Sequence, residues 1–519
     1  MRTENSMKNI YISILTQIVI TLLGFISRKV FIDNLGTEYL GVNGLLTNVL
    51  SMMSLVEGGI GTAIVYNLYK PLAENDKEKV IALTQLYKKV YGILAIIIFI
   101  LSLIIYPLLG YIMKSEEGIP FLGVVYFLFV FKNMISYLNA HKWSLINADQ
   151  KGYILAKYNL LFNVITTISK IIILAITRNY ILYLLIECLI FIVQNIYNGK
   201  IVNIKYPYIK TKKKYVVDKE VKNNLIVNVK ALFLHNVGSW CVFGTDNILI
   251  SSFISVATVG LYSNYTMIIG QLSSLLTPVI GGIGASVGNL IATESSEKSY
   301  KIFKITYLIN FWIYSFSAIF LFNLLEPFIN WWLGYGLLLD NITFFIILVN
   351  FYISGLRSSI ITFKVKGGVF DQDKYIPLIE SVINLGSSLI LVKYLGLAGI
   401  FLGTTISSVF VPLWTQSHLV YKHIFNKPVF LYFKKYAFYG AITILVGAFT
   451  TYTCNFIQAG SFISLVIRGI ICAIVPNTIY LLIFYKTEEF RYLWGIVKVK
   501  LMSIKAVEKI FRRDIEISS

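Results

Sequence analysis

Arg28, Lys132, Lys170, Lys230 and Arg357 each fall inside a long apolar run of this chain. A cation near mid-bilayer costs about 2.5–3.5 kcal/mol on insertion scales, so it marks a wet cavity, an ion pair or a function. Guanidinium forks and lysine ammoniums are the usual ligands of phosphate. Together the five predict a basic cavity that binds an anion. Polar residues share helix faces with them at spacings of three, four, seven and eleven. Gln17, Thr21 and Gly24 align with Arg28; Ser136 and Asn139 with Lys132; Asn159, Asn163 and Thr166 with Lys170; Asn350 and Ser354 with Arg357. Asn43, Thr47 and Ser54 align with Glu57, and His235 with Asp246. Gln17, Asn43, Asn163, His235 and Asn350 are the foremost candidates to line the cavity, where amides would meet the hydroxyls of a polar cargo. Interhelical bonding is the alternative use of the same stripes.

Glu57 and Asp246 are carboxylates in apolar surroundings and candidates for coupling to a proton or sodium gradient; pairing with a deep cation is the competing role. Gly58, Gly59 and Gly61 follow Glu57, and Pro278 with Gly281, Gly282 and Gly284 repeats the pattern later in the chain. These glycines either let helices bend or let them pack closely. No spacing of His, Cys, Asp or Glu reads as a metal site. No nucleophile–base constellation and no Walker-type loop appears, and the reading assigns no enzyme activity and no cofactor.

The elements that position these residues are membrane spans. Of 519 residues, 56% are hydrophobic and only 14% charged, against roughly 25% charged in a soluble domain. A spanning helix needs about 20 apolar residues, and the runs predict about 14 of them, at 10–32, 42–67, 88–112, 119–140, 156–177, 180–203, 226–250, 259–288, 304–323, 338–361, 375–394, 397–420, 434–454 and 462–485. The net charge of +20 would suit nucleic acid, but most Lys and Arg residues lie in alternate short connections. That alternation fits the positive-inside rule and predicts cytosolic termini, with no nucleic-acid partner. Cys188, Cys241, Cys454 and Cys472 all lie in apolar runs and read as buried thiols.

Asp149-Gln150-Lys151-Gly152-Tyr153-Ile154 is echoed by Asp371-Gln372-Asp373-Lys374-Tyr375-Ile376, each preceding a predicted span. With the glycine echo, this predicts two parallel six-helix repeats, related by an axis along the membrane normal. The predicted divisions are a first lobe at 1–204, a basic cytosolic connection at 205–225, a second lobe at 226–425, two extra spans within 426–485 and an amphipathic basic tail at 486–519 on the membrane surface.

Phe31 to Gly41, Glu57 to Gly61, Thr245-Asp246-Asn247, Val259 to Tyr265 and the two Asp-Gln pairs resemble the bacterial polysaccharide flippases of the Wzx type, in the multidrug/oligosaccharidyl-lipid/polysaccharide exporter superfamily. The resemblance extends over essentially the whole chain. It implies an all-α polytopic membrane protein with two six-helix lobes in a V around a central cavity. It also implies a cargo: an undecaprenyl-diphosphate-linked oligosaccharide, flipped across the bacterial cytoplasmic membrane by alternating access. A lipid-linked oligosaccharide, membrane lipids, a polysaccharide polymerase and glycosyltransferases are the expected partners. A multidrug or cation exporter on the same fold and an integral-membrane glycan polymerase are the alternatives. The basic interior speaks against the first, and the short outer connections against the second.

Overall fold

The computed structural model describes residues 2–57, 60–114, 119–149, 151–217, 244–369, 371–373, 375–458, 460–495 and 498. Among these residues the ordered elements are helices. Helix α1, Arg2–Met53, is two helices joined at Gly36, whose φ of 81° suits a residue without Cβ. The chain tightens into a 3-10 turn at Ser54–Glu57 and resumes as α2, Ile60–Ala73. The sequence placed Glu57 near the middle of one span, whereas the structure puts it in the 3-10 turn that follows α1. There follow α3 (Lys77–Ile105), α4 (Leu109–Ile112), α5 (Leu122–Leu138), α6 (Ala140–Ala148), α7 (Tyr153–Thr177) and α8 (Tyr180–Lys205). The later helices are α9 (Asp246–Phe253), α10 (Val256–Thr293), α11 (Ser296–Leu333), α12 (Asn341–Lys366), α13 (Ile376–Leu395), α14 (Leu397–Phe410), α15 (Pro412–Val420), α16 (Phe430–Asn455) and α17 (Phe462–Phe484).

Helix starts follow from capping side chains that satisfy free backbone N–H groups. Asp76 accepts from the Lys79 amide, Asn179 from Ile181 and Leu182, Ser295 from Lys298, and Asp340 from Thr343. Ser461 and Ser464 cap each other's backbone at the start of α17. The Lys79 amide, followed by the nearby Lys79 ammonium, holds the Asp76 carboxyl below its ordinary range.

Among the described residues nine helices are long and apolar enough to cross a membrane, or ten if α5 and α6, bent by 47° at their junction, form one span. These coincide with the predicted third to sixth and ninth to fourteenth spans. The first two predicted spans fall on α1 and α2, the seventh lies largely outside the described residues, and the eighth falls on α10. Helix α7 turns Leu161, Ile165, Ile168, Ile172 and Ile176 outward along one face. Only 6% of its apolar window is buried in the protein, so hydrocarbon must cover it. The chain is an all-α, multi-pass membrane protein.

Contacts group the chain into two units, residues 1–267 with 377–403, and residues 268–376 with 404–519. In the first, α1 lies along α7, and Phe31 meets Tyr180 and Tyr183 edge-on at centroid distances of 6.1 and 5.2 Å. Here α1 also crosses α10 with almost no space between backbones. A Cβ on Gly41 would stand 1.9 Å from the Val256 carbonyl oxygen, and one on Gly260 2.0 Å from that of Thr37.

In the second unit α11 is central. Phe303 and Tyr307 stack on each other, Tyr307 on Tyr432, and Phe311 on Tyr439. Helix α17 is tied to α11 by Trp312, whose Nε1 donates to Asn477 Oδ1 at 2.6 Å. Residues 488–495 form a further helix. Glu489 accepts from Lys435 at 2.7 Å, with Lys304 Nζ at 4.0 Å, while Phe490 stacks between Trp312 and Trp494. The amphipathic tail expected on the lipid surface thus begins docked on the protein.

Burial alone would raise the Glu489 carboxyl, but the Lys435 and Lys304 ammoniums outweigh it and hold the group below its ordinary value of 4.5. A depressed carboxyl contributes stability in full above its unfolded pKa and loses it as pH falls through the folded one. Tryptophan emission from the Trp312–Trp494 stack should therefore be constant from neutral pH down to the ordinary carboxyl value of 4.5, then shift below it as the tail releases. Glu489→Gln should flatten that profile.

Candidate functional site

The carboxylate of Glu187 on α8 lies between two ammoniums, Lys132 from α5 and Lys170 from α7, and accepts a hydrogen bond from each. The Lys170 ammonium also sits 4.2 Å above the Tyr183 ring. Near Tyr183, Arg28 from α1 donates from Nη1 to Ser263 Oγ at 2.7 Å. Arg28, Tyr183, Asn163, Thr167, Gly24 and Ser27 line one cavity of about 320 Å³. Three of the five predicted cations therefore converge within the first unit. One carboxylate faces two lysines with an arginine nearby, so the group keeps a surplus of positive charge.

A second cavity of the same unit, about 510 Å³, is lined by Glu57, Tyr91, Ser136, Tyr137, Trp143, Asn147, Asn159, Phe191, Gln194, Asn195 and Asn198. Asn159 Oδ1 accepts from Gln194 Nε2 at 2.9 Å and from Asn198 Nδ2 at 2.7 Å. Asn139, at the corner between α5 and α6, donates to the Asn195 side chain. Glu57 accepts from the Tyr91 hydroxyl at 3.2 Å. Phe191 joins the two regions, with Lys132 Nζ 5.7 Å from its ring centre. Helices α7 and α8 therefore carry a charged end at Lys170 and Glu187 and an amide end at Asn159, Gln194 and Asn198.

The other predicted residues are placed as follows. Gln17 Nε2 reaches Thr21 Oγ1 at 3.5 Å. Asn43 Oδ1 accepts from the Tyr180 hydroxyl at 3.0 Å. Asp246 is buried in the first turn of α9, and among the described residues its Oδ1 has no hydrogen-bond partner. Arg357 and Asn350 stand on α12 in the second unit; Asn350 accepts from Thr405 at 2.7 Å, and Arg357 is buried within electrostatic reach of Tyr432 and Tyr436. Lys230, His235, Gly58 and Gly59 lie outside the described residues. Pro278, Gly281, Gly282 and Gly284 are helical within α10. Gly61 has a packing duty, since a Cβ there would stand 2.9 Å from the Tyr91 hydroxyl and 3.2 Å from Glu57 Oε1. Among the described residues no group of three or more His, Cys, Asp or Glu could hold a metal.

Sequence reasoning missed Tyr91, Tyr180, Tyr183, Gln194, Asn195 and Asn198 as site residues. The tyrosines passed as part of apolar runs. The amides were readable, because Glu187, Phe191, Gln194 and Asn198 recur at helical spacing.

No protein-family profile and no curated protein matches this chain at the sequence level. Solved structures do match in fold. Lipid II flippase MurJ, in an inward closed conformation, superposes with a TM-score of 0.63 at 14% identity, over 92% of this chain and all of that one. An inward-facing multidrug resistance MATE transporter of the MOP superfamily gives 0.58 at 14% identity, over 78% and 98% of the two chains. A MATE transporter of Vibrio cholerae gives 0.50 at 14% identity, over 83% and 99%. At these identities the likeness is one of architecture, and the chain is similar in fold to both a lipid II flippase and multidrug transporters.

Proposed function

We propose that this protein is a transporter that moves an undecaprenyl-diphosphate-linked oligosaccharide from the cytosolic to the outer leaflet of a bacterial cytoplasmic membrane, for surface polysaccharide synthesis. Sugars and diphosphate cannot cross hydrocarbon, because each unsatisfied polar group costs several kcal/mol there. A polar cavity opened to each side in turn removes that barrier while the lipid tail stays in the bilayer. The observation that carries the reading is the cationic surplus of Lys132 and Lys170 on Glu187, with Arg28 beside the adjoining Tyr183. It selects an anionic head group. Lys230 and Arg357 are the further candidate phosphate ligands. Glu57 and Asp246 are the candidates for proton or sodium coupling, and both termini are cytosolic in this reading. Two six-helix lobes rocking about the cavity would supply the alternating access. A polysaccharide polymerase and glycosyltransferases would take up and supply the cargo.

Arg28→Ala should lower surface glycan at least tenfold, with membrane levels of the protein unchanged on immunoblot; Arg28→Lys should recover part of the export. Full export by Arg28→Ala would remove the cationic site. A second reading, export of organic cations, draws on Glu57 among the rings of Tyr91, Tyr137, Trp143 and Phe191. It expects energy-dependent ethidium efflux that Glu57→Gln abolishes.

A further inference from the structure

We propose that the amide-lined cavity of the first unit is a glycan subsite, which grips the sugars of the cargo while Arg28, Lys132 and Lys170 hold its phosphate end. This rests on the transport reading above and adds a place and a polarity for the glycan.

The chemistry of the lining is that of a sugar site. Side-chain amides present donors and acceptors in one plane, which suits adjacent hydroxyls of a pyranose. Here Asn159, Gln194 and Asn198 are joined, with Asn159 Oδ1 taking two donors at 2.9 and 2.7 Å, and the neighbouring Asn195 Oδ1 accepts from Asn139. Asn198 is only 5% exposed, yet among the described residues its Oδ1 accepts no hydrogen bond. A buried acceptor without a donor is costly, and a ligand hydroxyl would satisfy it. The lining is also aromatic, with Tyr137, Trp143 and Phe191 supplying apolar ring surface for the C–H faces of sugar rings. Among the described lining residues there is no lysine or arginine and a single carboxylate, Glu57. Such a lining suits a neutral polyhydroxylated ligand. The volume of about 510 Å³ lies within the roughly 300–1,000 Å³ of small-molecule sites.

Placement gives the polarity. Lys170 and Asn159 are eleven residues apart on α7, as are Glu187 and Asn198 on α8. Eleven residues rise about 16 Å along a helix, the length of a short oligosaccharide. The charged end and the amide end are thus spaced for a phosphate with several sugars attached.

The test uses the full-length protein in detergent micelles and two probes, undecaprenyl diphosphate and the same lipid bearing a neutral trisaccharide. Competition between them is followed by native mass spectrometry. The glycosylated lipid should bind about tenfold tighter, and Asn159→Ala or Gln194→Ala should bring that preference toward unity. Arg28→Ala should weaken both probes. Equal affinity of the unmutated protein for the two lipids would overturn the subsite and leave the transport reading standing. Failure to bind either lipid would overturn both. Displacement of the glycosylated lipid by ethidium, lost in Glu57→Gln, would assign the cavity to cations instead. Because the two-lipid comparison needs no mutation, poor folding of a variant does not blunt it.

Discussion

Gly41→Val and Gly260→Val should each leave little folded protein. The atoms in the way are backbone: a Cβ would stand 1.9 Å from the Val256 carbonyl oxygen at the first site and 2.0 Å from that of Thr37 at the second. A flexible side chain could turn aside, but a carbonyl within a helix moves only if the helix moves. Overpacking usually costs about 1–3 kcal/mol where side chains can adjust. The two backbone collisions should exceed that, against a total stability of about 5–15 kcal/mol. Even alanine should lower the melting temperature at either position. The control is Gly270→Ala on the same helix α10, where nothing lies within 4 Å of the added Cβ. There the substitution should be neutral or stabilising by up to about 1 kcal/mol, since glycine is the poorer helix former. Scanning fluorimetry in detergent, with size-exclusion recovery, measures all three.

Glu187→Ala should be nearly as damaging, for an electrostatic reason. It removes the carboxylate that accepts from both Lys132 and Lys170. Breaking a fully buried pair by deleting one partner typically costs about 3–5 kcal/mol, because a charge is left uncompensated; these side chains are 16–36% exposed, so the lower end of that range is expected. Here two ammoniums lose one acceptor. Replacing the whole set with Lys132→Met, Glu187→Leu and Lys170→Met should restore most of the melting temperature, as apolar substitution of buried ion groups often does. Surface glycan export should not return. Separation of stability from export in the triple variant is the expected result. Recovery of both would mean that the two lysines serve the fold alone.

The helices were legible because length and hydropathy alone decide a membrane span. Glu187 was visible as an ion-pair candidate for the deep cations, but its two partners were not. It lies 17 residues from Lys170 and 55 from Lys132, and only the packing of α5, α7 and α8 brings the three together. The bend between α5 and α6 was also hidden, since Asn139 at its corner is neither proline nor glycine. The Asp-Gln echo was visible, but its chemistry is not copied between the halves. Asp149 takes Lys151 and the Tyr206 hydroxyl, each at 2.6 Å, whereas in the second copy Asp373 takes Lys364. In both halves a carboxylate anchors the turn ahead of a span, through different donors. The stripe rule found Asn159 and Asn163 because they share a face with a lysine, and it overlooked the α8 amides, which share a face with a glutamate.

The crossing of α1 and α10 also limits how these two helices can move. With bare backbone touching at Gly41 and Gly260, sliding by one turn would drive the side chain of Leu45 or Asn264, next on the same faces, into a gap that admits only hydrogen. Swivelling about the same point keeps that backbone contact but has to break the Arg28–Ser263 hydrogen bond between the same two helices. The joint therefore behaves as a pin, locked against translation, with its angle held by that side-chain bond.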